Sequence, residues 1–255
     1  MKEQTHFLVQ KENEGCVEVY VLAPGIRISF NQINTSSWPK GDSSFFPERM
    51  LTLNFCIGGR CDVSLAQNRY AIVKEQQVCV STIRPTKDFY YPGKHYYGIQ
   101  FYLDLSELER CGGQDFLTLL GIPLCQLRDI FCGADGLYLH HMNDAMLSLV
   151  QDTWASREEL DFGQLRYFMV RLLHELLSMP SESEPDAYFT RSQIAIVREA
   201  EALILSDLSK RVTAREMAER FGISESSFKF YVKGILGESY LAYFRRKRMK
   251  KAAAM

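Results

Sequence analysis

Two hydrophobic periods divide the chain. From Val17 to Leu105, short β-branched or aromatic runs at 17–22, 26–31, 50–57, 61–66, 69–73, 77–83 and 95–105 alternate with turn material such as Pro24-Gly25, Pro39-Lys40-Gly41-Asp42, Gly58-Gly59 and Pro92-Gly93. In the last run Ile99, Phe101, Leu103 and Leu105 alternate with Gln100, Tyr102 and Asp104, the pattern of a strand with one buried face. Many short strands at this spacing predict a sandwich or barrel over 1–105. Beyond it the period lengthens. Met142, Ala145, Met146, Leu149 and Val150 make one helical stripe, and Phe162, Leu165, Phe168, Met169, Leu172, Leu173, Leu176 and Leu177 a broader one, so 106–178 is expected to be mostly helical, His140-His141 included. The prolines, serines and acidic residues of Met179–Asp186 predict a linker over 179–189. Ile194, Val197, Ala200, Leu203 and Ile204 then predict a helix over 192–206, opening a last domain of 190–255.

The most specific pattern lies in that last domain. Thr213 and Glu216 form a capping box, which predicts a helix over 214–220. Met217 and Ala218 face inward, and Gly222 supplies the positive φ of a tight turn between crossed helices. Ser224 caps a second helix on which Phe228, Val232, Ile235 and Leu236 are apolar, while Ser226, Ser227, Lys229, Phe230 and Lys233 lie on or near the opposite face. Gly237 ends that helix and Ser239 starts another, which carries Arg245, Arg246, Lys247, Arg248, Lys250 and Lys251. Two crossed helices followed by a basic one read as a helix-turn-helix. Its second helix would enter the major groove of double-stranded DNA, and the basic helix would meet phosphates.

Charge follows the same division. The net charge of -1 conceals 14 Lys and Arg against 7 Asp and Glu from Thr190 onward, and 16 against 24 before it. Seven cysteines, an odd number, imply no disulfide framework. No long apolar run suggests a leader or a membrane span, so a reducing cytoplasm is expected.

Val212 to Met249 resembles the first of the two helix-turn-helix units of AraC/XylS-type transcription regulators. The matching residues are Ser224, Phe228, Val232, Lys233, Gly237, Ser239, Tyr243 and Arg248. The resemblance implies base-reading positions at Ser226, Lys229 and Phe230. Glu225, Ser227, Lys233, Ser239, Arg245 and Arg246 complete the expected DNA-binding set. Such regulators carry two units, and this chain stops at Met255, so truncation and weakened DNA binding are expected.

The resemblance also implies a cupin-like version of the barrel, binding a small-molecule effector, and a homodimer formed through the helices before the linker. The fold class expected is therefore α+β: a cupin-like β-barrel with a helical dimerisation segment, followed by an all-α helix-turn-helix subdomain. Arg49, Asn54, Arg84, His95, Tyr97, Gln100 and Tyr102 are candidates to orient the effector, with Phe89, Tyr90, Tyr91 and Tyr96 as an aromatic mouth. Leu165, Phe168, Met169, Leu172 and Leu176 are candidates for the dimer contact. No cofactor is implied and no enzyme is expected: the strand region holds only His95, Cys56 and Cys61 lack a second ligand pair, and no nucleophile motif occurs. The alternatives are an effector-binding or dimerising module without DNA binding of its own, and a cupin metal enzyme.

Overall fold

A computed structural model describes residues 6–39, 49–65, 69–133, 136–183, 188–208 and 210–253. The chain divides into two compact units, Met1–Ala66 with Val73–Ala187, and Gln67–Ile72 with Tyr188–Met255. It is an α+β protein, strand-built first and helical after.

In the first unit β1 (His6–Lys11), β2 (Gly15–Ala23), β3 (Ile26–Ile33), β4 (Ser37–Trp38) and β5 (Met50–Ser64) are followed by β6 (Arg69–Lys74), which straddles the division between units. Then come β7 (Gln77–Ser81), β8 (Phe89–Tyr90) and β9 (Tyr96–Asp104). The helices α1 (Leu105–Arg110), α2 (Gly113–Leu119) and α3 (Leu124–Cys132) lead to β10 (Leu137–His141), α4 (Asp144–Ala155) and α5 (Phe162–Leu177). One antiparallel sheet runs β1-β2-β3-β9-β5-β7-β10. The far end of β5 leaves it and pairs with β8, which pairs with β4, so two sheets share one long strand.

Gly58-Gly59 is where β5 bends, and the expected turn there is corrected. The strand continues through the glycines with a bulge between Cys56 and Gly58, and Gly59 takes φ +84°. A Cβ on Gly58 would come within 2.2 Å of the Tyr97 ring, so close packing as well as the bend calls for glycine.

Alternation sorts the larger sheet. Ile28, Phe30, Leu51, Leu53, Phe55, Ile99, Phe101 and Leu103 are buried on the face that α4 and α5 cover. Phe168 meets Phe101 with ring centroids 5.8 Å apart, and the Arg166 guanidinium donates to the Leu22 carbonyl at 2.8 Å. Leu165, Phe168, Met169, Leu172 and Leu176 are all buried in this core. Their placement in a dimer contact is thereby corrected, because the chain's own sheet covers the stripe and a partner has no access to it.

Two further expectations are corrected. His140-His141 is not helical: the apolar run Leu137-Tyr138-Leu139 pairs with β7 and carries both histidines into the sheet. The linker is shorter than 179–189. Tyr138 donates to the Pro180 carbonyl at 2.9 Å and the Ser183 hydroxyl accepts from the Leu139 N–H at 3.1 Å, so the chain stays packed to that point. Residues 184–187 lie outside the described residues, and Tyr188–Thr190 is a strand, β11.

In the second unit β11 pairs antiparallel with Arg69–Ala71 of β6. It is followed by α6 (Arg191–Ser206), α7 (Ala214–Arg220), α8 (Glu225–Leu236) and α9 (Tyr240–Ala253). Ile72, Phe189, Val197, Ala200, Ile204, Met217, Ala218, Phe228, Val232, Ile235, Tyr240, Tyr243 and Phe244 form its core. The local rules hold here. Thr213 Oγ1 accepts from the Glu216 N–H at 3.1 Å, and the Glu216 carboxylate accepts from the Thr213 N–H at 2.7 Å. That backbone bond holds the Glu216 carboxyl below its usual range. Gly222 has φ +66°, and Gly237 ends α8 in the left-handed region at φ +82°.

Candidate nucleic-acid interface and ligand cavity

The helix α8 is two-faced because its apolar residues recur at helical spacing. Phe228, Val232 and Ile235 are buried with Gly234, while Ser226, Lys229, Phe230 and Lys233 are exposed and Glu225 and Ser227 half-buried. Ser224 caps the helix, accepting from the Ser227 N–H at 3.0 Å, and its hydroxyl also meets those of Ser226 and Ser227 at 3.0 and 2.8 Å. Lys229 lies one turn beyond Glu225 and pairs with it at 2.6 Å. The exposed face thus presents a hydroxyl cluster at the first turn, then a lysine steered by a carboxylate, then Lys233.

Phe230 is 45% exposed, yet its ring lies 5.9 Å from that of Phe189, which is 1% exposed. Phe189 comes from β11 and rests on the helix where Gly234 offers no side chain: a Cβ there would be 2.1 Å from the ring's Cζ. One edge of Phe230 therefore serves packing. Neither Phe189 nor the need for Gly234 is apparent from helical spacing, since the partner is a strand 45 residues upstream.

The basic helix α9 separates into tied and free cations. Arg248 donates through Nε to the Leu208 carbonyl at 2.9 Å and also reaches the Lys210 carbonyl, so it closes the loop before α7. Arg246 donates to Glu238 at 2.9 Å and lies over the Tyr243 ring at 5.2 Å. Lys247 lies over the same ring at 5.1 Å. Ser239 caps the helix, accepting from the Ala242 N–H at 3.3 Å. Arg245 is exposed and makes no ion pair with a described residue. The side chains of Lys250 and Lys251 lie outside the described residues.

In the first unit, the face of the large sheet turned away from α4 and α5 lines a cavity of roughly 190 Å³. Val9, Lys11, Val17, Val19, Asn31, Trp38, Pro39, Asn54, Cys61, Phe89, Tyr91, Tyr96, Gln100 and Tyr102 border it. Of the effector candidates, Asn54, Gln100 and Tyr102 meet there. Asn54 accepts from the Tyr96 hydroxyl at 2.6 Å. Tyr97 does not: one residue out of phase with Tyr96, it projects from the opposite face and packs on Trp154, with ring centroids 5.5 Å apart. His95 is exposed beside Tyr97, Arg84 is exposed, and Arg49 pairs with Glu109 at 2.8 Å on the surface. These four positions are corrected. Of the aromatic mouth, Phe89, Tyr91 and Tyr96 line the cavity and Tyr90 does not.

Asn31, Lys11, Trp38 and Cys61 were not among the candidates. Ser29 and Asn31 alternate with Ile28, Phe30 and Ile33 imperfectly, but Ser29 and Asn31 share the phase of Gln100 across the β3–β9 pairing, a signal that could have found Asn31. Lys11 belongs to β1, whose six exposed residues show no buried face. Burial pushes the Cys61 thiol well up, aided by the neighbouring Asp62, which makes it a poor nucleophile.

Burial also pushes the Tyr102 phenol up to about 12, Ser29 and Arg27 pulling the other way, and raises Tyr91 and Tyr96. Such phenols stay protonated when folded and ionise near 10 when unfolded. The Tyr102 contribution is complete below pH 10 and declines as pH rises toward 12, because the folded state then binds more protons than the unfolded one. Unfolding of the first unit followed by near-ultraviolet circular dichroism is expected to shift to lower temperature from pH 9.5 to 11.5, and Tyr102→Phe is expected to lessen that shift. Both pH values lie within about 1.5 units of the ordinary tyrosine value.

No family model matches the chain, and no curated protein matches it by sequence. Among solved structures it is similar to the AraC-like transcriptional activator CuxR, at 11% identity and TM-score 0.41 over 97% of this chain and 86% of that one. It is also similar to ToxT from Vibrio cholerae, at 8% identity and TM-score 0.38 over 90% and 83%. A third likeness, to Bacillus subtilis oxalate decarboxylase OxdC, reaches 10% identity and TM-score 0.28 over 41% and 30%. At these values the function of the chain rests on its own residues.

Proposed function

We propose that the protein is a transcription regulator that binds double-stranded DNA through α8 and responds to a small molecule held in the cavity of the first unit. The observation that carries this reading is the two-faced α8: one side is locked into the core by Phe228, Val232 and Ile235, and the other offers Ser226, Lys229 and Lys233 to solvent. A helix held this firmly, with short polar and cationic side chains outward, suits a major groove, where lysine reads guanine and serine either base. Arg245 supplies a phosphate contact, which adds affinity without sequence preference. Effector occupancy changes the presentation of the basic unit only through differential affinity for two states of the protein.

Selection of bound duplexes from a random pool, followed by fluorescence anisotropy, tests the reading. An enriched motif whose binding weakens with salt supports it; equal weak binding to every duplex at low salt overturns it. Lys229→Ala is expected to change the preferred base at one motif position by about 1–3 kcal/mol of discrimination. Glu225→Gln removes a carboxylate that competes with DNA for Lys229, so it is expected to tighten binding several-fold while lowering stability by no more than about 1 kcal/mol, the carboxylate also lying in the first turn of α8. The pair is exposed, and exposed pairs contribute about 0–1 kcal/mol. Weaker binding by Glu225→Gln in anisotropy titrations would count against the orientation assigned to α8.

A further inference from the structure

We propose that the cavity of the first unit takes a compact, uncharged, single-ring heterocycle with an amide-like edge, a donor and an acceptor side by side. This rests on the reading of that cavity as the effector site and names the chemistry it selects.

Size sets the first limit. At roughly 190 Å³ the cavity is slightly larger than one of about 150 Å³ that holds benzene. One ring with a substituent matches that space. Shape sets the second. Trp38, Phe89, Tyr91, Tyr96 and Tyr102 border the space with ring surfaces, which favour a flat ring over a branched aliphatic body.

The polar groups set the third. Asn31, 7% exposed, and Gln100 border the cavity, and neither carboxamide makes a hydrogen bond with a described residue. They stand on neighbouring strands: Gln100 is opposite Ser29 and Asn31 is opposite Gly98, so the two are diagonal neighbours on one face. At Gly98 itself a Cβ would come within 2.4 Å of the Phe55 carbonyl oxygen and 3.0 Å of the Tyr96 hydroxyl, so the wall is closely packed at that position. A carboxamide carries a donor and an acceptor together, and its complement is a group carrying both in the reverse order, as a lactam or pyrimidinone does. Asn54 is already committed to Tyr96 at 2.6 Å and helps fix the wall.

Charge sets the fourth. Lys11 is the one formally charged side chain among the described lining residues. Its ammonium lies 3.6 Å from Glu14 and 5.1 Å from the Trp38 ring centroid, so an anionic ligand would share that cation with Glu14. A cation would find no carboxylate on the described wall.

Isothermal titration of the full chain with 2-pyridone, benzoate and toluene tests the proposal, with thermal shifts as a second readout. These share one six-membered ring but differ in edge and charge. Saturable one-to-one binding of 2-pyridone is expected, weakened about tenfold by Asn31→Ser or Gln100→Ala and much less by Lys11→Ala. Melting curves without ligand establish that each variant is folded, and the Gln100 variant serves if the Asn31 variant is not. Tighter binding of benzoate, abolished by Lys11→Ala, overturns the uncharged class and leaves the effector cavity standing. Toluene binding as well as 2-pyridone, with both carboxamide variants silent, overturns the amide-like edge. Binding of none of the three at millimolar concentration by folded protein overturns the proposal and the effector reading together.

Discussion

Gly234→Ala is expected to destabilise the second unit by about 3 kcal/mol, the upper end of what overpacking a filled core costs. Helix propensity alone predicts the opposite sign, because alanine is favoured over glycine in a helix interior by about 1 kcal/mol. Packing decides. The added methyl would lie 2.1 Å from Phe189 Cζ and within 3.0 Å of both adjacent ring atoms. The ring has little room to retreat, being buried among the core side chains of α6 to α9 with Phe230 against it. The helix is then pushed off β11, and base discrimination is expected to fall along with stability. Phe189→Ala by itself also destabilises, by about 3–5 kcal/mol, but combining it with Gly234→Ala should cost less than the sum, since the methyl then has space. Urea denaturation of the two single variants and the double variant measures this coupling. Additive losses would mean that ring and helix do not meet at Gly234.

Arg248→Ala is expected to lower stability by about 1–2 kcal/mol, the scale for charge-assisted bonds discounted for partial exposure. Its guanidinium ties the Leu208 and Lys210 carbonyls, and those carbonyls border the turn that leads to Thr213 and α7. The salt dependence of DNA binding should change little. Arg245→Ala is expected to do the reverse: stability unchanged, and the slope of log affinity against log salt smaller by about 0.9, because one phosphate fewer is neutralised. Chemical denaturation and anisotropy at a series of salt concentrations separate the two. If Arg248→Ala leaves stability intact and lowers the slope instead, the bonds to the loop carbonyls are not made in solution.

These two arginines show how far the residue pattern reaches. Both belong to one basic run, Arg245 to Arg248, and nothing local distinguishes them. Their roles diverge because a neighbouring loop comes within reach of one and not the other. In β9 the reverse holds: the alternation that places Gln100 and Tyr102 on one face and Ile99 and Phe101 on the other also excludes Tyr97 from the cavity. Applied strictly, that parity would have kept Tyr97 out of the effector set. The surface arginines Arg49 and Arg84 entered it through chemistry alone, and residue type without strand phase does not locate a side chain.

What the sequence determined by itself is what depends on neighbours three or four residues away. The capping box at Thr213, the start of α8 at Ser224, its end at Gly237 and the buried stripe of Phe228 and Val232 all follow from hydrogen bonds and spacing within one or two helical turns. Tertiary structure alone decided that the stripe of α5 is covered by its own sheet, that Leu137–His141 is a strand, and that Asn31 joins Gln100 in the cavity. It also set Phe189 against Gly234. An apolar stripe specifies that it will be covered but not by what, and a short apolar run can serve a helix or a strand equally. Strand pairing joins residues far apart in sequence, so those pairings leave no period in the chain on which they could be read.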